Sequence, residues 1–93
     1  MKLVSITPSH RKDKKLVAKF AEPTKTVHFG MKGSTTYIDD KDPDRRKAYL
    51  DRHRENETWN NPTTPGSLAR HILWGESTSM KKNISDFKKR FNL

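Results

Sequence analysis

Apolar and polar positions alternate with period two in the first part of the chain and with helical period after it. Leu3, Val4 and Ile6 form a short apolar run closed by Pro8, which predicts a strand over Leu3–Ile6. Lys15 to Phe20 alternates, with Leu16, Ala18 and Phe20 on one face and Lys15, Val17 and Lys19 on the other. Glu22-Pro23 marks a turn. Lys25 to Phe29 is again a strand, with Val27 and Phe29 on one side and Thr26 and His28 on the other. These two strands make a hairpin with one apolar face. A lone hairpin is marginal in water, so Leu3–Ile6 as a third strand, or helices as a cover, must complete it. Gly30 to Ser34 reads as a loop and Thr35 to Ile38 as a fourth short strand.

From Asp42 the pattern turns helical. Asp42 to Trp59 reads as one helix. Asp42 suits the cap, Pro43 the first helical position, and Asp44 the positive end of the dipole. Arg46, Tyr49, Leu50 and His53 share a face at about 100° per residue. That face is narrow and half polar, so the helix is expected to dock through Tyr49 and Leu50 and to show cations along its flanks. Asp51, Glu55 and Glu57 share the helix, so a solvated, ion-paired surface helix and a contact surface for an acidic partner both fit the pattern.

Asn60 to Thr64 is a loop broken by Pro62. Thr64 and Pro65 open a second helix that runs to Trp74, with Gly75 as its stop and Leu68, Ala69, Ile72 and Leu73 as its apolar stripe. Ser77 to Ser79 starts a last helix, Met80 to Phe91, in which Met80, Ile84, Phe87 and Phe91 recur at helical spacing. The fold class expected is therefore α+β: an N-terminal antiparallel β-hairpin or small three-stranded sheet followed by three α-helices. It forms one small basic domain, β-rich over 1–38 and helical over 39–93. Its expected core is Leu16, Phe20, Val27, Phe29, Leu50, Leu68, Ile72, Leu73, Ile84 and Phe87.

Composition adds a constraint. Hydrophobic residues are 30% and charged residues 33% of 93 residues, lean for a globular domain, although two Trp, two Tyr and four Phe argue against a disordered chain. A core this thin favours docking on a larger assembly. The net charge is +9 and is uneven: residues 1–38 and 59–93 are basic, and 39–58 is nearly balanced. Such a chain suits nucleic acid, an anionic surface or an acidic protein. With no cysteine, disulfide frameworks and thiolate zinc sites are excluded. No run is long enough to span a bilayer, and none reads as a signal peptide.

The candidate chemistry is binding rather than catalysis. His10, His28, His53 and His71 are scattered without metal spacing, and no nucleophile elbow or nucleotide fingerprint appears; no catalytic residue, cofactor, metal or small-molecule substrate is expected. Asp39, Asp40, Asp42 and Asp44 cluster, but lack the pattern of a calcium loop, and capping accounts for two of them. Arg45, Arg46, Arg52 and Arg54 are candidates for an acidic protein partner, since guanidinium pairs with carboxylate in bidentate geometry. Trp59 and Trp74, near helix ends, are candidate interface anchors or parts of the protein's own core. Arg11, Lys12, Lys14, Lys15, Lys88, Lys89 and Arg90 are candidates for phosphate contacts. Tyr37, Tyr49, Trp59 and Trp74 are candidates for base stacking.

Three stretches carry a resemblance: KTVHFGMKG at Lys25–Gly33, KDPDRRKAYLDRHRENETWNNPTTPGSLARHILW at Lys41–Trp74, and NISDFKKRFNL at Asn83–Leu93. In this order they resemble a family of small basic proteins encoded by large DNA viruses of algae and amoebae. The resemblance covers nearly the whole chain and supplies no catalytic residues. Where relatives tend to have an Asn-Lys-Pro run, this chain has Trp74-Gly75-Glu76-Ser77, so a different turn into the last helix is expected. The resemblance implies a viral origin and a virion component, otherwise residing in the host cytoplasm or nucleus. The leading functional expectation is a non-enzymatic minor capsid or internal virion protein whose partners are other virion proteins. The alternative is a sequence-nonspecific DNA-binding protein that helps condense the genome.

Overall fold

Three strands come first. The computed structural model describes residues 1–54 and 59–93. Strands β1 (Lys2–Pro8), β2 (Lys14–Ala21) and β3 (Lys25–Met31) form an antiparallel sheet in the order β1-β2-β3. The pairings Leu16↔Phe29 and Ala18↔Val27 set the alternating apolar positions of the two strands side by side, as the period-two pattern requires. Leu3 and Ile6 are three residues apart and would point to opposite faces of a regular strand. A register shift between Leu3 and Ser5 adds the extra residue, Val4, which is 65% exposed, and both Leu3 and Ile6 then reach the core. The β2–β3 turn holds Glu22 at φ 58° ahead of a cis peptide to Pro23.

Among the described residues four α-helices follow: α1 (Tyr37–Asp40), α2 (Pro43–His53), α3 (Pro65–Leu68) and α4 (Met80–Arg90). The α+β architecture is the expected one, with the sheet in its three-stranded form. The expected fourth strand over Thr35–Ile38 is instead the start of α1. Asp39, three residues on, accepts hydrogen bonds from the Thr36 backbone N–H at 2.8 Å and hydroxyl at 2.9 Å, which turns the chain into a helix rather than an extended segment. Helix α2 is capped as expected: the Asp42 carboxylate accepts from the backbone N–H groups of Asp44 and Arg45. It ends at His53 rather than running to Trp59, which lies in a turn; Glu55 and Glu57 fall outside the described residues.

The second expected helix, Pro65 to Trp74, divides. Its α-helical turn ends at Leu68, and Ala69–Leu73 is π-helical. The Trp74 N–H closes this segment by donating to the Ala69 carbonyl at 3.0 Å. Helical periodicity gives no sign of such a wider turn.

Leu68, Ile72, Leu73 and Trp74 pack with Leu3, Ala18, Phe20, Phe29 and Phe87 in one core under the sheet. Most expected core residues are there, with Leu16, Val27 and Ile84 at its edge, but Leu50 is only half-buried and lies outside the cluster. Gly30 permits a close approach between sheet and helices. A Cβ there would lie 2.8 Å from Leu73 Cδ1, and its φ of +79° favours glycine. The radius of gyration, 12.5 Å, matches the roughly 12 Å of a folded domain of this length, so the lean core closes on itself.

Candidate docking site

Helix α2 presents one face to an open cleft. Arg45, Tyr49, Arg52 and His53 recur on that face at i, i+4, i+7 and i+8, and all four line the cleft. The lining also takes Lys14, Gly30 and Met31 from the start of β2 and the end of β3, and Ala69, Leu73 and Trp74 from the π-helical segment and its end. The cleft holds about 720 Å³, within the roughly 300–1,000 Å³ typical of binding clefts. Among the described residues, Lys14, Arg45 and Arg52 are its charged lining residues, and no aspartate or glutamate lines it. Asp40, outside the lining, pairs with Arg45 Nε at 2.9 Å. Among the described residues neither Lys14 nor Arg52 has an ion pair.

The aromatic residues at the cleft are already stacked on one another. Tyr49 lies between Trp74, at 4.3 Å and 5° between planes, and His53, at 4.4 Å and 29°. Trp74 is only 7% exposed. Elsewhere the Arg46 guanidinium covers the Tyr37 ring at 5.6 Å, and that of Arg70 covers Trp59 at 5.1 Å. Each of the four aromatics considered for base stacking thus has a face occupied within the fold.

The sequence candidates for partner binding separate into two groups. Arg45 and Arg52 reach the cleft. Arg46 turns inward, donating from Nε to the carbonyls of Trp74 at 3.2 Å and Gly75 at 2.9 Å, and so ties α2 to the end of the π-helical segment. Arg54 pairs with Asp51 at 3.3 Å. Trp59 anchors its loop: its carbonyl accepts from Ser67 Oγ at 3.1 Å and His71 Nε2 at 3.0 Å, while its own indole N–H is buried without a partner. Trp74 belongs to the core.

The candidates for phosphate contacts do not form one surface either. Lys14 lines the cleft, and Lys15 lies 3.8 Å from Asp39. Arg11 and Lys12 are exposed in the β1–β2 turn, where Arg11 pairs with Asp13. Lys88, Lys89 and Arg90 are exposed at the end of α4, and Arg90 lines a second, smaller cavity of about 170 Å³ with Arg70, Glu76 and Asp86.

The aspartate cluster is used within the fold. Thr36 and Lys15 engage Asp39, Arg45 and the Asp42 N–H engage Asp40, and Asp42 caps α2. The Thr36 backbone N–H, above all, holds the Asp39 carboxyl below the usual carboxylate range. Among the described residues no cluster of three potential metal ligands occurs.

Two residues escaped sequence reasoning. Arg70 sits half-buried with its Nε unpartnered; burial first, then Arg46 and Arg90, lowers its pKa. Asn83, at 2% exposure, donates from Nδ2 to the carbonyls of Ile72 at 2.9 Å and Ser77 at 2.7 Å and accepts from the Ser77 N–H at 3.1 Å. The only sequence signal for Asn83 was a polar residue next to Ile84 on the inward side of a helix.

No curated protein and no solved structure matches the chain. One family model does, over residues 4–53, just over half its length. The matched region spans nearly all of the sheet, the loop after it, and α2 to its last residue, and so includes Lys14, Arg45 and Arg52 of the cleft. The chain belongs to this family, a family of unknown function designated DUF5754.

Proposed function

We propose that the protein is a non-enzymatic docking protein that binds an acidic surface through the cleft between α2 and the sheet. In the setting the viral resemblance implies, it is a small basic minor capsid or internal protein of a large DNA virus particle. One observation carries the reading: the cleft gathers Lys14, Arg45 and Arg52 beside apolar lining residues, and among the described residues no carboxylate lines it. Arg45 shares Asp40, while Lys14 and Arg52 have no ion pair among the described residues; cations gathered in excess of their counter-charges repel one another and are stabilised when an anionic partner arrives. The test is incorporation into particles. Lys14→Glu and Arg52→Glu variants, first shown to melt like the wild type, are expected to be depleted from purified virions. Incorporation of both at wild-type levels refutes the reading.

The exposed cations of the β1–β2 turn and the α4 end, Arg11, Lys12, Lys88 and Lys89, favour a second reading, sequence-nonspecific contact with the viral genome. That reading expects affinity for duplex DNA to fall with salt by roughly 0.9 log units per log unit for each phosphate contacted. Flat salt dependence excludes it.

A further inference from the structure

We infer that the occupant of the cleft is an extended, acidic protein segment in which two carboxylates three residues apart flank an apolar side chain. This rests on the docking reading and names its partner class.

The spacing comes from α2. Arg45 and Arg52 are seven residues apart, which brings them back to nearly the same face and separates them by about 10 Å along the axis. Residues i and i+3 of an extended polyproline-type chain also fall on one side, about 9 Å apart. A Glu-x-x-Glu segment lying along α2 therefore meets one guanidinium with each carboxylate. In a β-strand, side chains of one face repeat at about 7 or 13 Å and match less well. Guanidinium suits the task because its planar fork takes a carboxylate in bidentate fashion. Asp40 meets Arg45 at Nε, 2.9 Å away. Lys14 adds a third cation to the lining, from β2.

The apolar part of the motif follows from what lies between the two arginines. Tyr49 sits midway, and Ala69 and Leu73 line the cleft with it. At the rim Met31 is 70% exposed, the most exposed large apolar side chain among the described residues. An apolar side chain placed between the two carboxylates would cover this surface. A nucleic-acid strand would use it poorly. Its phosphates find cations here, but its bases need an open aromatic face. Tyr49 has both faces covered, by Trp74 and His53, and Trp74 is buried.

The experiment measures fluorescence anisotropy of labelled probes with the full chain at moderate salt. The probes are a peptide containing Glu-Leu-Pro-Glu, one with the two glutamates adjacent, one with Leu replaced by Ser, and a single-stranded oligonucleotide. Each is repeated with Arg52→Gln and Lys14→Gln, which lie on different elements, so a folding defect in one leaves the other informative. The expected result is that the Glu-Leu-Pro-Glu peptide binds at least about tenfold more tightly than either altered peptide, and that each variant removes about tenfold of its affinity. Equal affinity for all three peptides overturns the inference. So does an oligonucleotide whose binding alone depends on Arg52 and Lys14, although that outcome keeps the cleft as an anionic docking site. If no probe responds to either variant, the inference and the docking reading fail together.

Discussion

Replacing Asn83 by leucine tests how the helical half holds together. The side chain is 2% exposed and joins three pieces: the π-helical segment through the Ile72 carbonyl, the following turn through the backbone N–H and carbonyl of Ser77, and α4, on which it sits. Leucine keeps the volume and removes three hydrogen bonds. At about 1 kcal/mol each, with an added penalty for the Ile72 carbonyl left buried and unpaired, the loss is about 3–4 kcal/mol. A domain of this length has a total stability of roughly 5–14 kcal/mol, so Asn83→Leu should still fold in the cold but melt roughly 12 °C or more below the wild type. Asn83→Asp should be worse at neutral pH, because it loses both donors and sets a carboxylate against two carbonyl oxygens. Circular dichroism melts and urea titrations of the three proteins measure this directly. A leucine variant melting within about 2 °C of wild type, or an aspartate variant as stable as wild type, refutes the clamp.

Other sites give sharper contrasts. Arg46→Ala should cost about 2 kcal/mol, because a charged donor to two carbonyls is lost, whereas Arg52→Ala should leave the urea midpoint unchanged; equal midpoints would contradict the division between Arg46 as a tie and Arg52 as a cleft residue. Gly75→Ala should destabilise by about 2 kcal/mol, since its Cβ would meet the His71 carbonyl and lie 2.5 Å from Asn83 Cγ; a neutral effect on the thermal midpoint would mean that the turn yields freely. Burial, more than any other cause, lowers the His71 pKa below its ordinary value of 6.5. The neutral ring is therefore the native form, and its contribution is full above pH 6.5 and is lost as the pH falls from there toward the depressed value. His71→Phe, which can keep the packing against Phe87 and Phe91, should flatten that acid slope in a pH series of urea midpoints, and an unchanged slope would assign it elsewhere.

The sheet was legible because a period of two is a strong local signal. Leu16, Ala18 and Phe20 opposite Val27 and Phe29 leave few other ways to bury five apolar side chains. The caps at Asp42 and Thr64 were legible because each places a side-chain acceptor where backbone donors are free; the last helix was placed after Ser77–Ser79, of which Ser79 is the cap. What could not be read depended on longer-range contacts or on competition. Thr35 to Ile38 has strand-forming residues, but the local bond from Thr36 to Asp39 overrides that preference. Leu50 counted as core by hydrophobicity, yet Tyr49 and Trp74 fill the space where α2 packs. Arg46 resembled its neighbours until the carbonyls of Trp74 and Gly75, nearly thirty residues away, came into reach. The cleft was half visible. Arg45 and Arg52 were singled out on α2, but Lys14 was grouped with the basic turn, because only the fold brings it to the cleft.

The central claim is that the cleft, and not the basic ends of the chain, is where the protein meets its partner. An amide chemical-shift map by NMR, recorded while a Glu-Leu-Pro-Glu peptide is titrated into the labelled full chain, tests it most directly. The account predicts saturable shifts at Lys14, Gly30, Met31, Arg45, Tyr49 and Arg52, with Arg11, Lys12, Lys88 and Lys89 little changed. Shifts confined to those four exposed cations, with the α2 face silent, would contradict it.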